Sequence, residues 1–117
     1  MTPAHVKPPI SLAVLEQLDI RVGTIVAVGE VPRSKKLARL EVDFGDHTRV
    51  ILAGLRQERA DVSVLVGRQA LFVINLEPRQ MAGEVSEGML FDLGYADGIE
   101  PVLAIPERAI PNGTRAG

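Results

Sequence analysis

Apolar residues alternate with polar or small residues in several short segments, and this period of two constrains the fold more than any other feature. The clearest segment is "DIRVGTIVAVGEV", where alternate positions predict one face of a strand: Ile20, Val22, Thr24, Val26 and Val28. The small residues between them let a strand coil tightly or bulge. The folded part of the chain is therefore predicted to begin with a long strand.

Two more strands and a short helix are predicted to follow. The second strand, "ARLEVDFG", is joined by a tight turn to a third in "TRVILAGL". Apolar or long side chains then recur at the helical spacing from Leu55 through Arg59 and Val62 to Val66, and Gly67 follows them. This spacing predicts a short helix or helical turn that ends at the glycine.

The last two strands complete a recognisable order of elements. "QALFVIN" is apolar on both faces and is predicted to be a central strand, and "GMLFDLG" is the fifth. Three strands, a short helical connection and two strands form the order of an OB-fold, a five-stranded Greek-key barrel. The sequence therefore predicts an all-β OB-fold with a short helix between strands 3 and 4 and with extra N- and C-terminal segments.

Three regions are predicted along the chain. Residues 1–17 form a proline-interrupted leader and a short helix that Ser11 caps, and residues 18–95 form the barrel domain. Residues 96–117 are apolar but broken by prolines, and a five-stranded barrel does not need them. We expect this extension to pack onto a neighbour, in a homodimer.

The residues offer little support for catalysis. The chain has no cysteine and two histidines, of which His5 lies in the leader and His47 in a turn, without partners for nucleophilic or metal chemistry. Glu84 and Glu87 are close in sequence, but they lie in a mixed surface loop, and no phosphate-cradling glycine motif is present. We therefore expect no enzymatic activity, no metal and no cofactor.

Composition and hydropathy bear on location. The chain has a net charge of −2, and no apolar run approaches the length of a membrane span. The N-terminal segment has neither the apolar core nor the cleavage site of a signal peptide. We therefore expect a cytoplasmic protein without membrane contact.

A local basic cluster stands out against the acidic average. Arg33, Lys35, Lys36 and Arg39 lie in "VPRSKKLAR" without an acid among them. A solvated loop and a phosphate-binding patch both fit this pattern, because a patch acts within a Debye length of about 10 Å. Phe44, Phe72 and Phe91 are predicted to be core residues, so few aromatics remain to stack on bases. If the patch binds nucleic acid, backbone and shape contacts to a folded RNA fit better.

Five motifs in order resemble one family: "LDIRVGTIV", "SKKLARLEVDFG", "LAGL", "NLEPRQMAG" and "SEGML". They resemble the tRNA-binding domain found at the C-terminus of many methionyl-tRNA synthetases, in endothelial-monocyte-activating-polypeptide-type proteins and in small free-standing bacterial proteins. The tail "VLAIPERAIPNGTRAG" resembles the CsaA-type members, which are export-related chaperones. The resemblance implies an OB-fold that grips the outer corner of tRNA, and homodimers among free-standing members.

The resemblance also implies roles for individual residues. Ser34, Lys36 and Leu37 match the signature before the second strand, and Lys36 is expected to contact phosphate. Asn75 matches the asparagine that ends the fourth strand, and its amide is expected to bind RNA. For the Ser-Glu pair before the fifth strand, RNA contact and local closure of the loop are equally good interpretations. Arg21 and Gly23 also match the family, in positions that we interpret as architectural.

Departures from the family pattern are concentrated in two places. Lys35 adds a cation where synthetase-type members tend to have an acid, whereas Glu77, Gln80 and Ala82 replace basic residues. Arg79 is then the one cation of the predicted loop "NLEPRQMAGEVSEGML", residues 75–90.

The primary prediction is a non-catalytic, dimeric tRNA-binding protein. Its predicted tRNA-binding residues are Arg33, Ser34, Lys35, Lys36, Arg39, Asn75, Arg79, Met81, Ser86 and Glu87. One alternative is a CsaA-type chaperone that binds unfolded or pre-secretory polypeptides. Another is an adaptor that docks a partner such as an aminoacyl-tRNA synthetase.

Overall fold

Five of the nine strands in the described part of the chain form one curled sheet. The computed structural model describes residues 4–56 and 61–117. Its helices and strands, in chain order, are α1 Leu12–Leu15, β1 Ile20–Glu30, β2 Ala38–Asp43, β3 Thr48–Ala53, a 3₁₀ helix Val62–Leu65, β4 Gln69–Val73, β5 Arg79–Met81, β6 Glu84–Ser86, β7 Met89–Leu90, β8 Asp92–Leu93, a 3₁₀ helix Tyr95–Asp97 and β9 Val102–Leu103.

The large sheet has the order β3-β2-β1-β4-β7, and every neighbouring pair is antiparallel. The sheet curls around a single cluster of buried side chains, in which Phe44 and Phe72 meet edge to face at 5.6 Å between ring centroids. The predicted all-β class, the five-stranded barrel sheet and the short helix before β4 are confirmed. The part of the predicted helix at 57–60 lies outside the described residues.

β1 contains a bulge that the alternation alone did not reveal. Its pairing with β2 slips between Ile25 and Ala27, so Val26 is an extra residue in the strand. As a result Val26 is 46% exposed, whereas Ile25 is fully buried in the core. Before the bulge Gly23 and Ile25 face the core, and after it Val28 packs against the core. The prediction that Val28 shares a face with Val22 is therefore wrong, because a bulge shifts the alternation by one residue.

The fifth predicted strand is divided. "GMLFDLG" forms β7, which pairs with β4, and then β8, which pairs with β9 from the C-terminal segment. Phe91 lies between them and is 40% exposed, so its prediction as a core residue is wrong. The chain changes its pairing partner from β4 to β9 at Phe91, and the Phe91 side chain is then left partly exposed to solvent.

The C-terminal residues fold back onto β1 of the same chain. The Val22 N–H donates to the Thr114 carbonyl at 2.9 Å, and the Gly113 N–H donates to the Val22 carbonyl at 2.7 Å. Asn112 adds a side-chain bond, since its Oδ1 accepts from the Thr24 hydroxyl at 2.7 Å. This segment therefore covers the part of β1 that pairs with β4 on its other edge.

The N-terminal helix is short and lies on the surface. Ser11 caps α1 as predicted, with its hydroxyl accepting from the Val14 N–H at 3.4 Å. The helix has one turn, against the two turns expected, and none of its residues is buried. Its apolar side chains therefore remain in contact with solvent.

Candidate nucleic-acid interface

The loop between β1 and β2, residues 31–37, holds its lysines at an exposed tip; we call it the basic loop. Ser34 shapes the tip, because its hydroxyl accepts from the backbone N–H of Lys36 at 3.2 Å and of Leu37 at 3.1 Å. The Lys36 carbonyl accepts from the Arg56 N–H at 3.1 Å, which anchors the loop to the segment after β3. Ser34 therefore positions the two lysines through backbone contacts.

The connection between β4 and β7 contains a two-stranded hairpin, β5–β6, residues 79–86. Its two central turn residues, Ala82 and Gly83, have φ angles of 50° and 83°. Two consecutive positive angles make a type I′ turn, the form that matches the twist of a hairpin. Arg79 lies opposite Ser86 in the ladder and is exposed, and Met81 is half-buried. The connection therefore presents one arginine on a rigid ribbon.

Two contacts bring the basic loop and the hairpin together. Arg33 lies over Gly83, so closely that a Cβ added to the glycine would stand 3.2 Å from the arginine Nη1. On β2, the Arg39 Nε lies 3.5 Å from Oε1 of Glu84 in the hairpin. The basic loop and the turn of the hairpin therefore lie side by side.

This surface has a net excess of positive charge. Arg33, Lys35, Lys36 and Arg79 are exposed and form no ion pair with any residue that the structure describes. Arg39 differs from them, because Glu84 neutralises it. Exposed cations without a partner lose little when they accept an oxyanion, so the arrangement suits phosphate groups.

Asn75 has an intramolecular use. Its Oδ1 accepts from the Asp19 N–H at 2.8 Å, and its Nδ2 donates to the Gln17 carbonyl at 2.6 Å. The amide therefore ties the residues after α1 to the end of β4. One N–H and one lone pair of the exposed side chain remain for an outside partner.

Ser86 and Glu87 close the barrel along the outer edge of β3. Ser86 is 2% exposed, and its hydroxyl accepts from the Leu52 N–H at 3.0 Å while it donates to the Gly88 carbonyl at 2.9 Å. Glu87 Oε1 accepts from the Val50 N–H at 2.9 Å. Of the two interpretations of this Ser-Glu pair, these contacts favour closure of the loop, because the serine is not accessible to a ligand.

Arg21 and Gly23 are architectural, as interpreted from the sequence. Arg21 Nε donates to Oδ1 of Asp19 at 2.7 Å, and Arg115 Nε reaches the same oxygen at 3.2 Å. The hydrogen bond from Arg21 lowers the pKa of Asp19 below its usual value, against the smaller effect of burial, and Arg115 adds to the lowering. A Cβ on Gly23 would overlap Val42, so the glycine permits close packing of β1 on β2.

The described part of the chain assembles no metal-binding cluster. Residues 4–56 and 61–117 contain no group of three or more histidine or acidic side chains that could hold a metal ion. His47 lies between Asp46, 2.6 Å from its Nδ1, and the Arg49 Nε, which donates to its Nε2 at 3.0 Å. Among the described residues no helix is long and apolar enough to cross a bilayer.

Sequence reasoning did not find the partners of the predicted cations. In the sequence Glu84 is only one of two neighbouring acids, yet it pairs with Arg39 from a strand far away in sequence. No sequence pattern marks Arg49, although it donates to the carbonyls of Ile74 and Glu87 at 2.7 and 3.0 Å and so links β3 to both ends of the connection. No local signal identifies such partners, because each contact depends on the closure of the barrel.

Comparisons with known proteins identify the family. Residues 20–115 match the family described as "Putative tRNA binding domain". A methionine–tRNA ligase from Methanocorpusculum labreanum is 38% identical over 109 residues, which are 91% of this chain but 15% of the ligase. The chain therefore spans about one seventh of the length of the curated relative that it matches.

Solved structures give the same result. A MetRS-related protein from Pyrococcus horikoshii superposes with a TM-score of 0.85 at 29% identity, covering 95% of this chain and all of the other. The chaperone CsaA from Bacillus anthracis superposes with a TM-score of 0.82 at 30% identity, covering 94% of this chain and all of that one. Because the family match covers residues 20–115 and the sheet has the order of an OB-fold, the chain belongs to the tRNA-binding domain family.

Proposed function

We propose that this chain binds tRNA, without catalysing a reaction, through the surface formed by the basic loop and the β5–β6 hairpin. The contact of Arg33 with Gly83 is the main structural support, because it makes one surface out of two loops. Membership of the tRNA-binding domain family supports the same ligand. Such a surface recognises the shape of a folded RNA through its phosphates instead of reading bases.

The individual residues have different roles in this proposal. Arg33, Lys35, Lys36 and Arg79 contact phosphates, since they are exposed and have no ion-pair partner in the described part of the chain. Met81 and the free positions on Asn75 lie beside the RNA. Ser34, Ser86 and Glu87 shape the loops from within.

A salt titration with unfractionated tRNA tests this function. Each lost phosphate contact lowers the slope of log affinity against log salt by about one unit. We expect Lys36→Ala to weaken binding and flatten the slope by that amount, as measured by fluorescence anisotropy between about 50 and 200 mM NaCl. Arg108→Ala is the matched control, because Arg108 is exposed and lies in the C-terminal segment. Absence of binding at low salt, or equal loss in both variants, would contradict the proposal.

The proposal includes a homodimer. Ile10, Leu12 and Leu15 are 67, 68 and 52% exposed, which leaves an apolar N-terminal surface uncovered. A second copy would bury this surface and double the basic patch, which raises avidity when one tRNA spans both copies. We expect size-exclusion chromatography with light scattering to give a dimer, and Leu12→Asp with Leu15→Asp to give a folded monomer. A monomeric parent protein would contradict this part.

A second candidate function is binding of unfolded or pre-secretory polypeptide. Two adjoining open grooves, of about 300 and 230 Å³, share Arg68 and Ile105. Their apolar lining includes Val64 and Val102, which are 60 and 51% exposed. A peptide with apolar side chains and one acid fits this lining. Suppression of aggregation that persists at high salt and is lost in Ile105→Asp would support chaperone activity, whereas unchanged aggregation of a test substrate would exclude it.

The relatives suggest one protein partner. Because one curated relative is a methionine–tRNA ligase, the proposal extends to docking of a synthetase without such a domain. Both tRNA and a synthetase are cytoplasmic, which is where we propose that the protein acts. Co-purification of a synthetase with the tagged protein after ribonuclease treatment would separate direct docking from bridging by tRNA.

A further inference from the structure

We propose that Glu84 is an internal competitor for tRNA phosphate: its carboxylate occupies the Arg39 guanidinium and so keeps this cation from an RNA phosphate. This inference deepens the tRNA-binding function proposed above and rests on it. Glu84 would then lower the affinity for tRNA by pairing with Arg39, although its own negative charge does not favour contact with RNA.

The geometry of the pair suits exchange with phosphate. Arg39 lies on β2 and Glu84 on β6, with 3.5 Å between Nε and Oε1. Their side chains are 37 and 30% exposed, so solvent reaches both. A guanidinium binds carboxylate and phosphate oxygens through the same fork of N–H donors. A phosphate that approaches the basic loop can therefore replace the carboxylate without any rearrangement of a buried group.

The pair is not needed to hold the hairpin in place. Ser86 bonds to Leu52 and Glu87 bonds to Val50, so two side-chain contacts already attach the C-terminal end of the hairpin to β3. Arg33 also covers the turn at Gly83. A half-exposed ion pair adds little to these contacts. Loss of its charge should therefore release Arg39 while the hairpin stays where it is.

Release of Arg39 from Glu84 adds one cation to those that form no ion pair in the described part of the chain. Its neighbours Arg33 and Lys36 form no ion pair with any other described residue. One additional phosphate contact steepens the dependence of log affinity on log salt by about one unit. Competition with a surface carboxylate corresponds to about a twofold to fivefold change in affinity.

Glu84→Gln tests the inference, because glutamine keeps the shape and an acceptor for Arg39 but removes the charge. We expect this variant to bind unfractionated tRNA about two to five times more tightly at low salt, with a steeper salt slope. Glu77→Gln is the matched control. Glu77 is exposed in the same connection and forms no ion pair among the residues described, so its loss frees no arginine.

A double-mutant cycle assigns the effect to Arg39. Arg39→Gln should not raise tRNA affinity in the parent protein, since it leaves Glu84 unpaired, and the double variant should lose the gain of Glu84→Gln. Equal affinity and slope for the two Glu→Gln variants would overturn the inference, as would a gain that survives Arg39→Gln. Failure of the parent protein to bind tRNA would overturn the proposed function instead, so the two failures are distinguishable.

Discussion

Gly23 shows how closely two strands approach at the centre of the barrel. A Cβ at this position would lie 2.5 Å from Cγ1 of Val42 and 2.8 Å from Cε1 of Phe44. Both neighbours are core side chains that are almost fully buried, so neither can move aside without disturbing others. The glycine is needed here for lack of space, since its φ is not positive.

Gly23→Ala should therefore destabilise the protein by about 1–3 kcal/mol, the usual cost of an extra methyl group in a packed core. The measurement is the free energy of unfolding from urea denaturation. Gly54→Ala provides the control, because no atom lies within 4 Å of its added Cβ and its backbone has no positive φ. We expect the control to stay within about 0.5 kcal/mol of the parent. Equal stability of the two variants would refute the packing argument.

At the scale of elements, two N–H groups on the outer edge of β3 donate to side chains instead of to a neighbouring strand. β3 is an edge strand of the five-stranded sheet, so the N–H groups on its outer side have no neighbouring strand in that sheet. Ser86 supplies an acceptor to Leu52 and Glu87 supplies one to Val50. Since residues two apart on a strand donate in the same direction, two consecutive side chains imitate a short piece of ladder.

This arrangement predicts a crossed pattern of amide exchange. Ser86→Ala should accelerate hydrogen exchange at Leu52 and leave Val50 protected, whereas Glu87→Ala should do the reverse. Ser86→Ala should also cost about 1–3 kcal/mol, because the Leu52 N–H would be left buried without an acceptor. NMR exchange rates measure both amides in each variant. Uniform acceleration across β3 would show that the two contacts act only through global stability.

The order of the five barrel strands was predictable from sequence, but the two small hairpins, β5–β6 and β8–β9, and the contacts between elements were not. Alternation gave the strands of the barrel sheet, since it reports local burial on one face. Alternation did not predict the bulge at Val26, because an extra residue leaves the composition of the strand unchanged and alters only its register. Of the predicted cations, Arg33 lies against Gly83 of the hairpin and Arg39 against Glu84. The use of Asn75 and Ser86 within the fold was not predictable, because Gln17 and Leu52 become their neighbours only after folding.

At the scale of the whole molecule, Asp19 joins the two ends of the domain. It accepts from Arg21 on β1 and from Arg115 in the C-terminal segment. Because its pKa is lower in the folded protein than its ordinary value of 3.8, these contacts stabilise the fold above that pH. Their contribution disappears as the pH falls through the folded-state pKa.

Asp19→Asn should therefore lower the melting temperature at neutral pH and flatten the fall in stability below about pH 4. Some acid dependence will remain, since contacts with His47 and Ser63 lower the pKa values of Asp46 and Asp61. Calorimetry across the acid range measures the effect. Asp97→Asn is the control, because Asp97 is exposed and takes part in no ion pair within the described ranges. A parallel shift at all pH values would contradict the linkage.

The pairing of β1 with residues 113–116 has a consequence for synthesis of the protein. Arg21 and Gly113, which meet in the folded domain, are 92 residues apart. At about 5–20 residues per second, a ribosome needs roughly 5–18 s to make the second partner after the first. During that time the apolar N-terminal end of β1 lacks the C-terminal segment that pairs with it. The interval is long enough for a nascent chain to contact other molecules. Completion of the barrel is therefore a late step in folding, and it joins residues far apart in sequence.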